Sequence, residues 1–370
     1  MSKKDSSSDI KNKRRQTSYD RAVGNSIAEP IPAEKEAFGK PTSREIHANN
    51  FSPQEMGRII ADLVRWKPIF EADLEEMNRN KVGRPYEYPN AMIVWCMLVS
   101  AIFPQSFGVF AGFICQTLYN QGIKGPSPSR LNERMNALAD EIISDWKDMI
   151  KGGILAIVVS EVKTKRVRRV GIDSSGLNLS SPNQWRSVKW GTGPKDKGWL
   201  KIHALSDVDS GEIIAYALTD NSVGDAPLLK VLVSAASEKG HLFDKIYADG
   251  AYSSNENWAY LCRDNKYTFV TSFKSNTVPK SNGCMARGEA AKLWCELPYN
   301  EWVKVTGYGT RWKCECTFSD FKRLFPETLE ARSRKGMIRE ILARVDAFNI
   351  YKRVRANLLG TTRNGIEISI

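Results

Sequence analysis

Between residues 166 and 273 the chain alternates short apolar runs with helical stretches, and that alternation limits the folds open to it. Arg166-Val-Arg-Arg-Val-Gly-Ile-Asp173 alternates, then runs apolar into an aspartate. Leu200 to Asp207 and Glu212 to Thr219 read as the next two strands, joined by the turn sequence Asp209-Ser-Gly211. Ala226 to Lys239 reads as a helix, Lys245 to Asp249 as a short buried strand, Asn255 to Asp264 as a helix and Tyr267 to Phe273 as a strand. Three strands, helix, strand, helix, strand is an α/β order, a mixed sheet covered by helices.

The region before it is expected to be all-α. Residues 1–50 are polar, with serine runs, the cluster Lys11-Asn-Lys-Arg-Arg15, and Pro30, Pro32 and Pro41. They read as a disordered basic arm, touching DNA phosphates or simply solvated. In Phe51-Ser-Pro-Gln-Glu55, Ser52 is placed as a helix N-cap, with Pro53 at the first helical position. Ala91 to Cys115 is the most apolar stretch, but Pro104, Gln105 and Ser106 interrupt it, so it reads as two buried helices rather than a membrane span. Gly83-Arg-Pro85 is either a hook for the DNA minor groove or a plain turn. A helix from Ser129 to Ile150 completes either a helix-turn-helix-like DNA-reading unit or a structural bundle. The expected domains are the arm (1–50), a helical DNA-binding domain (51–160), a catalytic domain (165–359) and a tail (360–370). Residues 276–305 read as an insertion or long loop, and Ile338 to Leu359 as a basic terminal helix.

The formal net charge is +12. Ten Lys/Arg face two acids between Lys163 and Lys201, and twelve face six between Arg311 and Arg355. Such blocks suit a polyanion, although a basic surface can also serve solubility alone. Seven scattered cysteines without C-x-x-C spacing point to free thiols in a reducing compartment. Three histidines without close spacing argue against structural zinc. The N-terminus lacks the apolar core of a signal peptide.

Tyr308 to Phe325 reads as a helix with charges among its apolar residues. With Arg311 at 0° and about 100° per residue, Glu315 falls near 40°, Phe318 near −20° and Lys322 near 20°. Either Arg311 and Glu315 form a helix ion pair, or Glu315 faces a metal with Arg311 and Lys322 around a phosphate. Asp173, before Ser174-Ser-Gly176, and Asp249, before Gly250-Ala-Tyr252, each follow an apolar strand. Three converging carboxylates repel one another unless one is protonated or a cation joins them. Hard divalent ions suit such oxygen donors.

These residues resemble the DDE transposases of insertion sequences, which have a ribonuclease-H-like catalytic domain. Tyr308, Arg311, Glu315 and Lys322 match the Y-x2-R-x3-E-x6-K signature of the insertion-sequence four and five superfamilies. Lys197-Gly-Trp-Leu-Lys-Ile-His203 is similar to the strand after the first aspartate in that family. The resemblance implies that Asp173, Asp249 and Glu315 hold two ions of Mg²⁺ or Mn²⁺. It implies that Tyr308, Arg311 and Lys322 contact phosphates near the cleaved end. It further implies a cytoplasmic, nucleoid-associated enzyme of a prokaryotic cell, acting as a dimer or larger complex on terminal inverted repeats and target DNA. Lys201 and His203, which share a strand face, are candidate phosphate contacts. Trp185, Trp190 and Trp199 are candidates for stacking on opened bases or for core packing. A metal-dependent nuclease without strand transfer and an inactive DNA-binding protein are the other readings.

Overall fold

The computed structural model describes residues 57–363, apart from 59, 104, 106, 145–153, 161, 163–165, 180–198 and 221. The arm, the Ser52 cap, Trp185 and Trp190 lie outside the described residues. Four helices come first: α1 (Leu63–Asn78), α2 (Asn90–Ile102), α3 (Phe107–Asn120) and α4 (Pro128–Ser144). Asp62 caps α1, its carboxylate accepting from Val64 N at 3.2 Å. The apolar run does split into two helices, and α2 is buried on almost every side. No helix among the described residues is long and apolar enough to cross a membrane.

The sheet has seven strands: β1 (Ile154–Val159), β2 (Val167–Leu179), β3 (Trp199–Asp207), β4 (Ile213–Thr219), β5 (Leu242–Ala248), β6 (Thr268–Thr271) and β7 (Thr328–Leu329). Their order is β1-β4-β3-β2-β5-β6, with β7 pairing the end of β2. The β1–β4, β4–β3 and β3–β2 pairs are antiparallel; β2–β5 and β5–β6 are parallel. The expected α/β class with a mixed sheet and preceding helices is what the chain has. Strand β1 falls where only helices were expected. Its sequence, Ile-Leu-Ala-Ile-Val-Val, is a β-branched run that extends the sheet beyond β4. All of β4 is buried, because it is flanked by strands and covered on both faces.

The two faces of the sheet feed different cores. On one face, Leu177, Ile202 and Ala204 pack with α1 to α4, with α9 (Trp312–Leu324) and with α10 (Arg334–Arg363). The N-terminal helices therefore share their core with the sheet. Asn349 of α10 ties the two together, donating to Ile213 O at 2.9 Å and accepting from Ile213 N at 2.8 Å. On the other face, Ile172 and Leu205 pack with α5 (Ala226–Glu238), α6 (Asn255–Trp258) and α7 (Met285–Glu296). The stretch read as an insertion or loop carries α7 and α8 (Tyr299–Thr306), whose Trp302 is buried beside Tyr247 and Tyr308.

Candidate functional site

Strand β2 starts between two neighbours and then keeps only one. It pairs with β5 through Gly171↔Tyr247, where that ladder ends, but stays paired with β3 through Asn178. Asp173 therefore sits within β2 rather than at its end. The Asp-Ser-Ser-Gly sequence looks like a turn, and the β3 ladder overrides it. Gly171 and Tyr247 are register partners on parallel strands about 4.8 Å apart. Two residues further along each chain, on the same face, stand Asp173 and Asp249. The two aspartates meet where β5 turns away.

Their backbones are pinned. Asp173 Oδ1 accepts from Ser174 N at 2.9 Å. Asp249 caps a 3₁₀ turn, Gly250–Tyr252, accepting from Ala251 N at 2.9 Å, and its carbonyl accepts from Thr271 Oγ1 at 2.6 Å. Glu315 comes from the first turn of α9. The expected single helix from Tyr308 is a 3₁₀ turn, Tyr308–Arg311, followed by α9, while Gly307, at φ 71°, separates that turn from α8. The buried stripe of α9 is Cys314, Thr317, Phe318, Phe321 and Leu324, so Glu315 lies on the flank of that stripe and not inside it.

Gly171 sets how closely α9 approaches. A Cβ at that position would stand 1.9 Å from Cys314 Sγ. With hydrogen there instead, Cys314 lies against the strand and its neighbour Glu315 comes over the aspartates. The signal was in the sequence: a glycine within an apolar strand marks a close approach.

Asp173 feels the charge of both other carboxylates. The Asp173 carboxyl is pushed up from its ordinary value, first by burial and then by the charges of Asp249 and Glu315. The Ser174 amide and Arg311 pull the other way. Arg311 Nη2 donates to Glu315 Oε1 at 2.6 Å, and its guanidinium lies 5.4 Å from the Tyr308 ring centroid. Tyr308 is buried, its hydroxyl donating to Ser272 Oγ at 3.2 Å. Lys322, two turns further along α9, pairs with Glu327 at 3.0 Å.

Lys201 and His203 are not brought to this cluster. Ser174, not Asp173, is the partner of His203, so both basic residues project from the other face. There Lys201 Nζ and His203 Nδ1 approach Asp225 Oδ1 at 2.5 and 3.2 Å, while His203 Nε2 bonds Thr219 Oγ1 at 2.9 Å. His203 is fully buried, and burial pushes its pKa down to about 4. Asp225 and the buried Tyr252 hydroxyl, which the charges of Asp225, Asp173 and Asp249 all reach, are polar groups the sequence did not single out. Trp199 opens β3.

The donor chemistry suits a hard divalent ion: three carboxylates, one of them pushed up in pKa by burial and then by its anionic neighbours. As the side chains stand, no three His, Cys, Asp or Glu among the described residues close into a metal-holding group. Glu315 is turned to Arg311 and paired with it.

No curated protein matches the chain. One similar solved structure is a piggyBac transposase synaptic complex with hairpin DNA. It is 12% identical, with 90% of this chain and 89% of that chain covered, and the TM-score is 0.28, too low to carry an argument. Residues 168–350, which include Asp173, Asp249, Glu315 and the helix that bears it, match the family described as the transposase DDE domain.

Proposed function

We propose that the chain is a DNA transposase that binds the terminal inverted repeats of its mobile element and catalyses metal-dependent cleavage and strand transfer. The observation that carries this is the pairing of Asp173 and Asp249 on one sheet face at the end of the β2–β5 ladder, with Glu315 delivered over them by α9. In this reading Asp173, Asp249 and Glu315 hold Mg²⁺ or Mn²⁺, two ions in all. Such ions, when bound, activate the attacking oxygen and stabilise the leaving one. Arg311, released from Glu315, grips a phosphate through its planar fork. Lys322 adds a point charge, and Tyr308 holds Arg311 by its ring face. The 168–350 family match supports a transposase in general. The insertion-sequence four/five assignment rests on the Tyr308–Lys322 spacing. Assembly as a dimer or larger complex on paired ends, in a prokaryotic cytoplasm near the nucleoid, completes the reading.

One observation favours a second reading. The Arg311–Glu315 ion pair is what a structural role for Glu315, in an inactive DNA-binding descendant, would show. The test is cleavage of a supercoiled plasmid carrying the element's ends, in Mg²⁺, Mn²⁺ or EDTA, beside Asp249→Ala. Metal-dependent cuts at the ends, absent in the variant, support the transposase. Cuts without strand transfer leave a nuclease, and binding without cutting in any metal leaves the inactive protein.

A further inference from the structure

Away from the carboxylates, the helical region forms a cleft of about 570 Å³ between the α1–α2 loop and the start of α4. Lys81, Arg84, Arg130 and Arg134 line it, with a single carboxylate, Glu87. That carboxylate is already engaged by Lys124 at 2.7 Å. Arg84 lies 4.0 Å from Glu87 and its side chain is 86% exposed, at the tip of a loop that Gly83 turns with φ 90°. Arg130 in turn pairs with Glu133 at 2.8 Å, so the lining keeps an excess of cations over carboxylates and favours an anion that can exchange with these exposed pairs.

The cleft is also preorganised. Asn78 at the end of α1 clamps the backbone of Tyr86 from both sides, donating to Tyr86 O at 3.1 Å and accepting from Tyr86 N at 2.7 Å. The ring, 43% exposed, has Lys81 Nζ at 4.5 Å and the Arg134 guanidinium at 5.8 Å from its centroid. Arg134 is steadied in turn by Asn90. Arg130 and Arg134, one turn apart on α4, face the loop together. A held aromatic ring with cations over it suits a sugar or base that takes their place on the ring while they move onto its phosphates.

We propose that this cleft is a second DNA contact, binding a phosphodiester segment through Arg84 and Arg130 with a deoxynucleoside against Tyr86. The choice of DNA rests on the transposase reading. An acidic peptide is the other polyanion with the charge for this cleft, and polyglutamate competition separates the two.

The experiment is fluorescence anisotropy of the full chain in EDTA across a range of KCl concentrations. The probes are a duplex of about twenty base pairs and the matching single strand. Arg84→Ala/Arg130→Ala should reduce the slope of log affinity against log salt by about 2 and weaken binding about 30-fold at about 0.15 M salt. Tyr86→Ala should weaken it about tenfold, and Tyr86→Phe should not. Equal effects on both probes support backbone recognition with either strand form; effects on one alone support that form as the occupant. Thermal melting checks that each variant is folded. Unchanged slope and affinity in folded variants would overturn the proposal. So would displacement of the DNA by polyglutamate at equal charge. Metal-dependent, Asp249-dependent plasmid cutting by the same variants would show that only the cleft had failed, whereas loss of that chemistry in the native chain would remove the transposase reading itself.

Discussion

Gly171 and Cys314 touch, and the contact leaves no room for a Cβ at position 171. A methyl group at Gly171 would stand 1.9 Å from Cys314 Sγ but 3.4 Å from Cys314 Cβ and 3.5 Å from Tyr247 O, so the sulfur is the obstacle. Gly171→Ala is expected to cost about 1–3 kcal/mol through overpacking. It should also lower DNA cleavage, because α9 and Glu315 are pushed off the sheet. Cys314→Ala removes the sulfur and should rescue much of the loss. Chemical denaturation of both single variants and the double gives the coupling. Additive losses would show that α9 does not depend on this contact.

Glu315 separates stability from chemistry. Its side chain is 54% exposed, and an exposed helix ion pair contributes about 0–1 kcal/mol. Glu315→Gln should therefore leave melting and DNA binding close to native. Loss of a metal ligand in a phosphodiester transition state is worth several kcal/mol, so cleavage should fall by about a thousandfold or more. Collapse of the fold with the activity would mark Glu315 as a structural partner of Arg311.

Divalent ions should stabilise the folded chain without any DNA. Asp173 is pushed up in pKa by burial and then by the neighbouring carboxylates, and a bound cation offsets both the burial of its charge and that repulsion. At ten times its dissociation constant an ion adds about 1.4 kcal/mol. Calorimetry should show melting raised by Mn²⁺ in the native chain and unmoved in Asp173→Asn. An equal rise in both would place the ion elsewhere.

Stability should decline in mild acid because of His203. Its folded pKa, about 4, lies below the ordinary 6.5, so the unfolded chain binds more protons between those values. Stability is then full above about pH 6.5 and is lost as pH falls towards 4, by up to about 3 kcal/mol. Urea titrations across that window should show the slope in the native chain and a shallower one in His203→Gln. Equal slopes would assign the acid sensitivity to other groups.

The strands that hold the aspartates were legible, since Val170-Gly-Ile172 and Ile246-Tyr-Ala248 are apolar runs that can only be buried. The partner of each residue was not. Lys201 and His203 share a face, as expected, but the β2–β3 register puts Ala204 and not His203 opposite Asp173. A shift of one residue exchanges the faces of a strand, and nothing in either sequence fixes it. The organising helix failed at its start for a similar reason. The 100° rule assumes one regular helix, and Tyr308 to Arg311 follow a tighter path. Met285 to Thr306 hid two helices because Gly288 within the first and Pro298 just before the second read as loop signals.

The position of α10 bears on the order in which the molecule can be made. It supplies Met337, Ile338, Ile341, Leu342 and Val345 to the core that α1 to α4 share with the sheet. Of the described elements it is also the last to leave the ribosome. The first helices synthesised must therefore wait, with the apolar sides of α2 uncovered, until nearly all the rest has been translated. That interval is when the nascent chain is most exposed to aggregation and to chaperones. A message cut short before α10 would yield not a smaller DNA-binding fragment but an unfinished core.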